Sequence, residues 1–244
     1  PEASRFEQID DLEWSFGTIG VQDKAKYLAT LYLEDLGDLI SEAVDPYFGF
    51  SRYAERLGMS ASSYDTLHSK LQEPLTLIDT ITLELLDGLI QKECPTLICF
   101  SIPFPGNLYS ALRCGQFVKR NYPKIKIAMG GGYPNTELRS LSDPRVFEVL
   151  DFISLDDGER PLRNIIEYLA GKKSIEQLKR TFCLINQKVQ YVNGSTDVDI
   201  SFHKTGTPDY SDLLLNDYLS VIEVTNPMHR LWSDGRWNKL TMAH

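Results

Sequence analysis

Three apolar runs between Pro95 and Arg160, each closed by a turn and separated by spacers of helical length, constrain this chain more than any other feature. Thr96 to Ile102 is apolar on both faces and too short for a buried helix, so it reads as a strand covered from both sides. Pro103 and Pro105 end that ladder, because neither has an N–H to donate. Leu108, Ala111, Leu112, Gly115 and Val118 follow at helical spacing, and Tyr122 ahead of Pro123 sets the helix end near Asn121. Ile125, Ile127 and Met129 alternate with Lys124, Lys126 and Ala128, which predicts a second strand with one more exposed end or face, closing on Gly130, Gly131 and Gly132. Asp143-Pro144 starts a short helical stretch, and Phe152 to Leu155 returns to strand character. Pro161 then opens a helix with Leu162, Ile165, Ile166 and Leu169 on one face, stopped at Gly171. The pattern predicts an α/β fold, a three-layer Rossmann-like (flavodoxin-like) parallel sheet. Open sheets of this kind take ligands beyond the carboxyl ends of their strands, which directs attention to the loops 101–107, 130–135 and 156–160.

The flanks differ in kind. Residues 1–92 read as a helical subdomain: Tyr27 to Val44 carries Leu31, Leu36, Leu39, Ile40 and Ala43 on one face before Asp45-Pro46 stops it. Phe48, Phe50 and Tyr53 form an aromatic cluster, and a further helix from Leu77 to Gln91 points Ile81, Leu85, Leu86 and Leu89 toward the strand at Thr96. Residues 93–172 form the sheet domain. Residues 173–244 hold a hairpin around Asn186-Gln187, a polar connector from Asp197 to Asp212, a loop-rich stretch with Trp232 and Trp237, and a last strand from Lys239 to His244.

A net charge of -9 over 244 residues works against attraction to phosphate backbones, and no basic stripe interleaved with aromatics is present, so nucleic acid is not an expected partner. No apolar stretch approaches the roughly 20 residues that cross a bilayer, and no signal peptide is visible, so neither a membrane nor secretion is expected and the predicted location is cytoplasmic. Cys94, Cys99, Cys114 and Cys183 lack the spacing of a zinc site and the density of a disulfide scaffold, and read as reduced thiols. His68, His203, His229 and His244 are far apart, so no metal site is predicted among these residues. Asp156, Asp157 and Glu159 precede a helix, where capping and the helix dipole account for acidic residues without a metal. The glycine triplet is a near miss to a dinucleotide fingerprint, since Asn135 stands where the last glycine belongs. The chain starts at Pro1 and stops at His244 inside an apolar run, which reads as a piece cut at both ends.

Two stretches resemble one family. Residues 95–170, with one strand ending in Ser, one in Gly-Gly and one leading to Gly-Glu, resemble the cobalamin-binding domain that precedes the barrel in a large group of radical S-adenosylmethionine (radical SAM) iron-sulfur proteins. Residues 206–244, "GTPDYSDLLLNDYL" and "NPMHRLWSDGRWNKLTMAH", resemble the lead-in to that barrel, which in the family is followed at once by a C-x-x-x-C-x-x-C loop. The resemblance implies that Ser101, Gly130, Gly131, Gly158 and Glu159 line a corrin and nucleotide-tail site, and that His244 faces the cluster loop. It implies a [4Fe-4S] cluster and S-adenosylmethionine in the intact protein, with cobalamin as an optional third cofactor; none of the cluster cysteines is among these residues, and no cofactor is expected to be held by these residues alone. The remainder of its own chain, a radical SAM barrel, is then the expected partner, and a homo-oligomer is left open. D-x-H-x-x-G is absent, and no first and second strands precede Thr96; they are expected upstream of Pro1, leaving an exposed sheet edge. Two other readings stand beside this one: a docking or oligomerisation module that binds no cofactor, and a nucleotide-binding domain with a phosphate in the glycine loop.

Overall fold

The computed structural model describes residues 21–50, 53–54, 57, 64–207, 209 and 211. It divides into two compact units, residues 1–43 with 209–244, and residues 44–208. These limits differ from boundaries at 92/93 and 172/173: both the short helices before the first strand and the hairpin after Gly171 belong to the unit that holds the sheet. In the first unit, helix α1 (Val21–Ala43) buries Leu31 and leaves Leu36 and Leu39 exposed. No helix among the described residues is long and apolar enough to cross a membrane.

The second unit starts with two helices, α2 (Asp65–Gln72) and α3 (Leu77–Glu93). Thr76 and Asp79 form a capping box at the start of α3: the Thr76 hydroxyl accepts from the Asp79 amide at 3.1 Å, and the Asp79 carboxylate accepts from the Thr76 amide at 3.2 Å. Cys94 in the left-handed region ends the helix, and the chain turns directly into β1 (Leu97–Ser101). Helix α4 (Leu108–Asn121) crosses to β2 (Lys126–Gly130), and the short α5 (Gly132–Glu137) with the 3-10 turn Pro144–Glu148 leads to β3 (Phe152–Ser154). Ile127, Ala128 and Met129 are all buried, so β2 is an interior strand covered on both faces rather than one with an exposed face. β1, β2 and β3 are parallel neighbours in that order.

Helix α6 (Glu159–Leu169) follows β3 and begins two residues before Pro161. Its buried residues are Pro161, Asn164 and Ile165, while Ile166 and Leu169 are exposed, and the Asn164 side-chain amide donates to Asp197 at 2.7 Å. β4 (Thr181–Ile185) and β5 (Lys188–Val192) form the expected hairpin, with Asn186 and Gln187 at positive φ. The hairpin is not a separate appendage. β4 pairs antiparallel with β3, giving one five-stranded mixed sheet of order β1-β2-β3-β4-β5. The architecture is α/β and Rossmann-like, with an antiparallel edge added to a parallel core.

Both faces of the sheet are packed, which makes three layers. Ile98, Phe100, Ile127, Met129, Ile153 and Phe182 share one core with α2, α3 and α4. Ala128, Phe152 and Cys183 share the other with Ile165 of α6 and Leu178. The helices of the first face are tied by charge as well as by apolar contact. Arg113 on α4 is buried; it pairs with Asp79 of α3 at 3.2 Å and donates to the Leu71 and Lys70 carbonyls at the end of α2, at 2.8 and 3.1 Å. Tyr109 completes the cluster, donating to Asp79 at 2.9 Å. A guanidinium on the last carbonyls of a helix satisfies acceptors that have no intrahelical donor.

Candidate functional site

The carboxyl ends of β1, β2 and β3 meet at one rim. Ser101 lies opposite Gly130 in the parallel register, and Ser154 follows on β3, where it pairs with Thr181 of β4. A β-carbon built on Gly130 would stand 2.9 Å from the Ser154 hydroxyl oxygen, so these two residues are in contact. Side chains alternate along a strand, which puts Gly130 and Ser154 on the same face as Ala128 and Phe152, the α6 side. Four small residues, Ser101, Gly130, Ser154 and Thr181, therefore form one row across the sheet. α6 covers the β3–β4 end of that row and leaves the β1 end open: Thr181 is fully buried, whereas Ser101 and the preceding Cys99 are exposed. The result is a ledge with almost no side-chain relief, bounded by β1 and reaching to the middle of the sheet.

The glycine triplet has an internal role. Gly131 has φ +107°, and a β-carbon there would stand 2.7 Å from the Ile102 amide nitrogen; one at Gly132 would stand 3.0 Å from the Pro103 carbonyl oxygen. The two loops are stitched together, since Ile102 N–H donates to the Gly130 carbonyl at 2.7 Å and Tyr133 N–H donates to the Ile102 carbonyl at 2.9 Å. Close approach of two backbones is what requires glycine here. The Tyr133 amide, committed to the Ile102 carbonyl, is not free to cradle a phosphate.

The third loop is held by Asn135, conspicuous in the sequence only as a break in a fingerprint, and by Arg139 and Arg180, which the sequence did not single out. Asp156 sits at φ +60°, and its N–H donates to the Asn135 side-chain oxygen at 2.6 Å. Its carboxylate pairs with Arg139 and lies 3.9 Å from Arg180, which also donates to the Asp157 carbonyl at 3.0 Å and to Asp199 at 2.9 Å. Asn135, the residue that breaks the dinucleotide fingerprint, is thus the tie between the second and third loops. Beyond it Gly158 is unobstructed and Glu159 is exposed at the first turn of α6. Ser101, Gly130 and Gly131 are brought together; Gly158 and Glu159 lie on the adjoining loop and reach the trio through Asp156 and Asn135.

On the other face, a cleft of about 430 Å³ lies between α4, the end of β2 and α5, with Leu108, Leu112 and Met129 at its floor and Glu137 and Asp143 among its lining residues. Arg145 bonds to Asp143 and holds that carboxyl below its ordinary range. The thiols do not gather. Burial raises Cys114 and Cys183 to about 11, which makes them poor nucleophiles and poor metal ligands, while Cys94 and Cys99 are exposed. Among the described residues no three His, Cys, Asp or Glu side chains could hold a metal ion. These cysteines do not fit an iron-sulfur cluster. His229, His244, Trp232, Trp237 and most of the barrel-like stretch lie outside the described residues.

Comparison with protein-family models, curated proteins and solved structures returns no match for this chain.

Proposed function

We propose that the sheet unit is the cobalamin-binding-type accessory region of a radical SAM iron-sulfur enzyme, carrying no catalytic residue of its own. The observation that carries the reading is the ledge of small residues, Ser101, Gly130 and Ser154, open on the β1 side at the carboxyl rim. A bulky, flat ligand needs a surface without projecting side chains, and a residue larger than Gly at 130 would fill the space beside Ser154. Ser101, exposed at the end of β1, supplies a hydroxyl that can donate to or accept from a polar edge of such a ligand. Gly131 holds the second loop back against Ile102, and the Asn135–Asp156–Arg180 ties fix the third loop, so the rim is set before a ligand arrives. Cobalamin, when bound, would supply methyl-transfer or radical-tuning chemistry; these residues would orient it and keep water from one side. The cluster and S-adenosylmethionine would belong to the remainder of the chain.

Titration of the protein with hydroxocobalamin, followed in the ultraviolet-visible spectrum and by co-elution on gel filtration, tests this directly. Saturable spectral change in the wild type, lost in Gly130→Val while the circular dichroism spectrum is kept, is the expected result. No change and no co-elution would overturn it in favour of a docking module.

A further inference from the structure

The cleft on the α2 and α4 face of the sheet has the build of a small-molecule site, and the ledge makes no use of it. Its volume of about 430 Å³ falls inside the roughly 300–1,000 Å³ of such sites. Leu108, Leu112 and Met129 at its floor are 4%, 1% and 1% exposed, and Tyr133 beside them is buried too. Its mouth is acidic. Asp143 is committed to Arg145, which donates to it at 2.6 Å and to Asp65 at 2.7 Å. Glu148 lies 3.8 Å from His68. Glu137 is the carboxylate left over: it lines the cleft, is exposed at its mouth, and among the described residues no group bonds or pairs with its side chain. Arg139, the nearest cation in sequence, is directed elsewhere, donating to the Asn135 carbonyl at 2.6 Å and pairing with Asp156. Glu137 is also the last residue of α5, where the helix's own carbonyls oppose a negative charge.

We infer that this cleft binds a small organic cation, with a primary ammonium held at Glu137 and an aromatic or branched apolar body seated over Leu108, Leu112 and Met129. Charge complementarity selects the class. Glu137 and Asp143 both line the cleft, and Arg145, the guanidinium beside Asp143, is spent on Asp143 and Asp65. A ligand carboxylate or phosphate therefore meets repulsion, whereas an ammonium fills the unpaired position. The two phenols of the wall register the same field. The Tyr133 hydroxyl is raised above its ordinary pKa by burial first and then by Glu137, and that of Tyr64 by burial and then by Glu148 and Asp143. Aromatic faces also favour a cation over an anion, and Met129, flexible and polarisable, lets the floor adapt to a ring. The net charge of -9 draws cations toward the molecule as a whole. Met129 faces the α4 core and its neighbour Ala128 the α6 core, with Gly130 on the same side as Ala128. The cleft and the ledge thus lie on opposite faces of the sheet, and an occupant of one leaves the other open.

Methyl NMR of the whole chain with isotope-labelled methionine tests the inference, because with 4 methionines the Met129 signal can be assigned by a single substitution. Benzylamine and cyclohexylmethylamine should each shift that signal saturably. Benzyl alcohol, of nearly the same shape without the charge, should bind about fivefold more weakly, and benzoate should not bind. Glu137→Gln should lower the affinity for both amines about fivefold with the circular dichroism spectrum unchanged, the loss of one exposed ion pair. Ser140→Trp, at an exposed position on the lining, should block the shift by filling the cleft. A Met129 signal that neither amine moves overturns the inference, and so does equal affinity for benzylamine and benzyl alcohol. Unchanged binding in Glu137→Gln, or a Met129 shift that survives Ser140→Trp, overturns it as well, since the ammonium or its body would then sit elsewhere.

Discussion

A β-carbon at residue 131 would lie 2.7 Å from the Ile102 amide nitrogen, and the φ of +107° there is one that side chains rarely adopt. One residue earlier the obstacle is only the Ser154 hydroxyl, which can rotate aside. Neighbouring glycines therefore have different reasons to be glycine. Gly131→Ala should cost about 3 kcal/mol or more in urea unfolding, from backbone strain and the clash together. Gly130→Ala should cost only about 1 kcal/mol, an overpacking effect, yet weaken cobalamin retention. Equal destabilisation by the two substitutions would mean that the rim is rigid at both positions and that the ledge is not free to take a ligand. The sequence made the triplet conspicuous but could not separate its members, because the atoms that decide, Ile102 and Ser154, lie about 25 to 30 residues away along the chain. Arg139 and Arg180 were invisible for the same reason, and Asn135, which stood out only as a missing glycine, gave no sign of its tie to the third loop: each looks like an ordinary polar surface residue until Asp156 is placed between them.

At the scale of elements, the three parallel strands were legible because apolar runs of strand length between helix-length spacers leave few alternatives. Helix α2 was not. It has eight residues, carries no side-chain cap at its start, and has its carbonyl end satisfied by Arg113, more than forty residues later. The buried face of α6 differs from the expected one: Ile166 and Leu169 are exposed, and polar Asn164 is buried beside Ile165 with its amide on Asp197. Asp197 accepts from Lys173 at 2.5 Å and from Asn164 at 2.7 Å, and these bonds bring its carboxyl down to about 2 from an ordinary value of 3.8. A carboxylate depressed on folding stabilises the folded state above its unfolded pKa and loses that contribution as pH falls through the folded one. The connector after β5 should thus stay docked above about pH 4 and loosen toward pH 2. Hydrogen exchange at the Gly194 and Ser195 amides, which donate to the Leu178 carbonyl at 3.1 and 3.2 Å, reports this. Wild type should lose protection in that window, while Asp197→Asn should start lower and change less; identical profiles would show that the ion pair does not hold the connector.

For the molecule as a whole, the fate of the hairpin decides how many cooperative units the sheet region contains. A boundary at 172/173 implies that β4 and β5 could unfold by themselves. Phe182 argues otherwise: it is buried, lies opposite Ile153 in the antiparallel register, and joins the core that holds Leu112, Ile127 and Met129, while the adjacent Cys183 joins the core under α6. One strand contributes to both faces, so removing it opens both. Phe182→Ala should therefore lower the stability of residues 44–208 together, by about 3 to 5 kcal/mol, rather than releasing the hairpin alone. The check is residue-resolved hydrogen exchange under increasing urea, comparing Ile127 in β2 with Leu184 in β4. Parallel loss of protection at both sites means one cooperative sheet, and with it a ledge whose rigidity depends on a hairpin on the far side. Early loss at Leu184 with Ile127 unaffected would restore the sequence boundary, and the ledge would then rest on the three parallel strands alone.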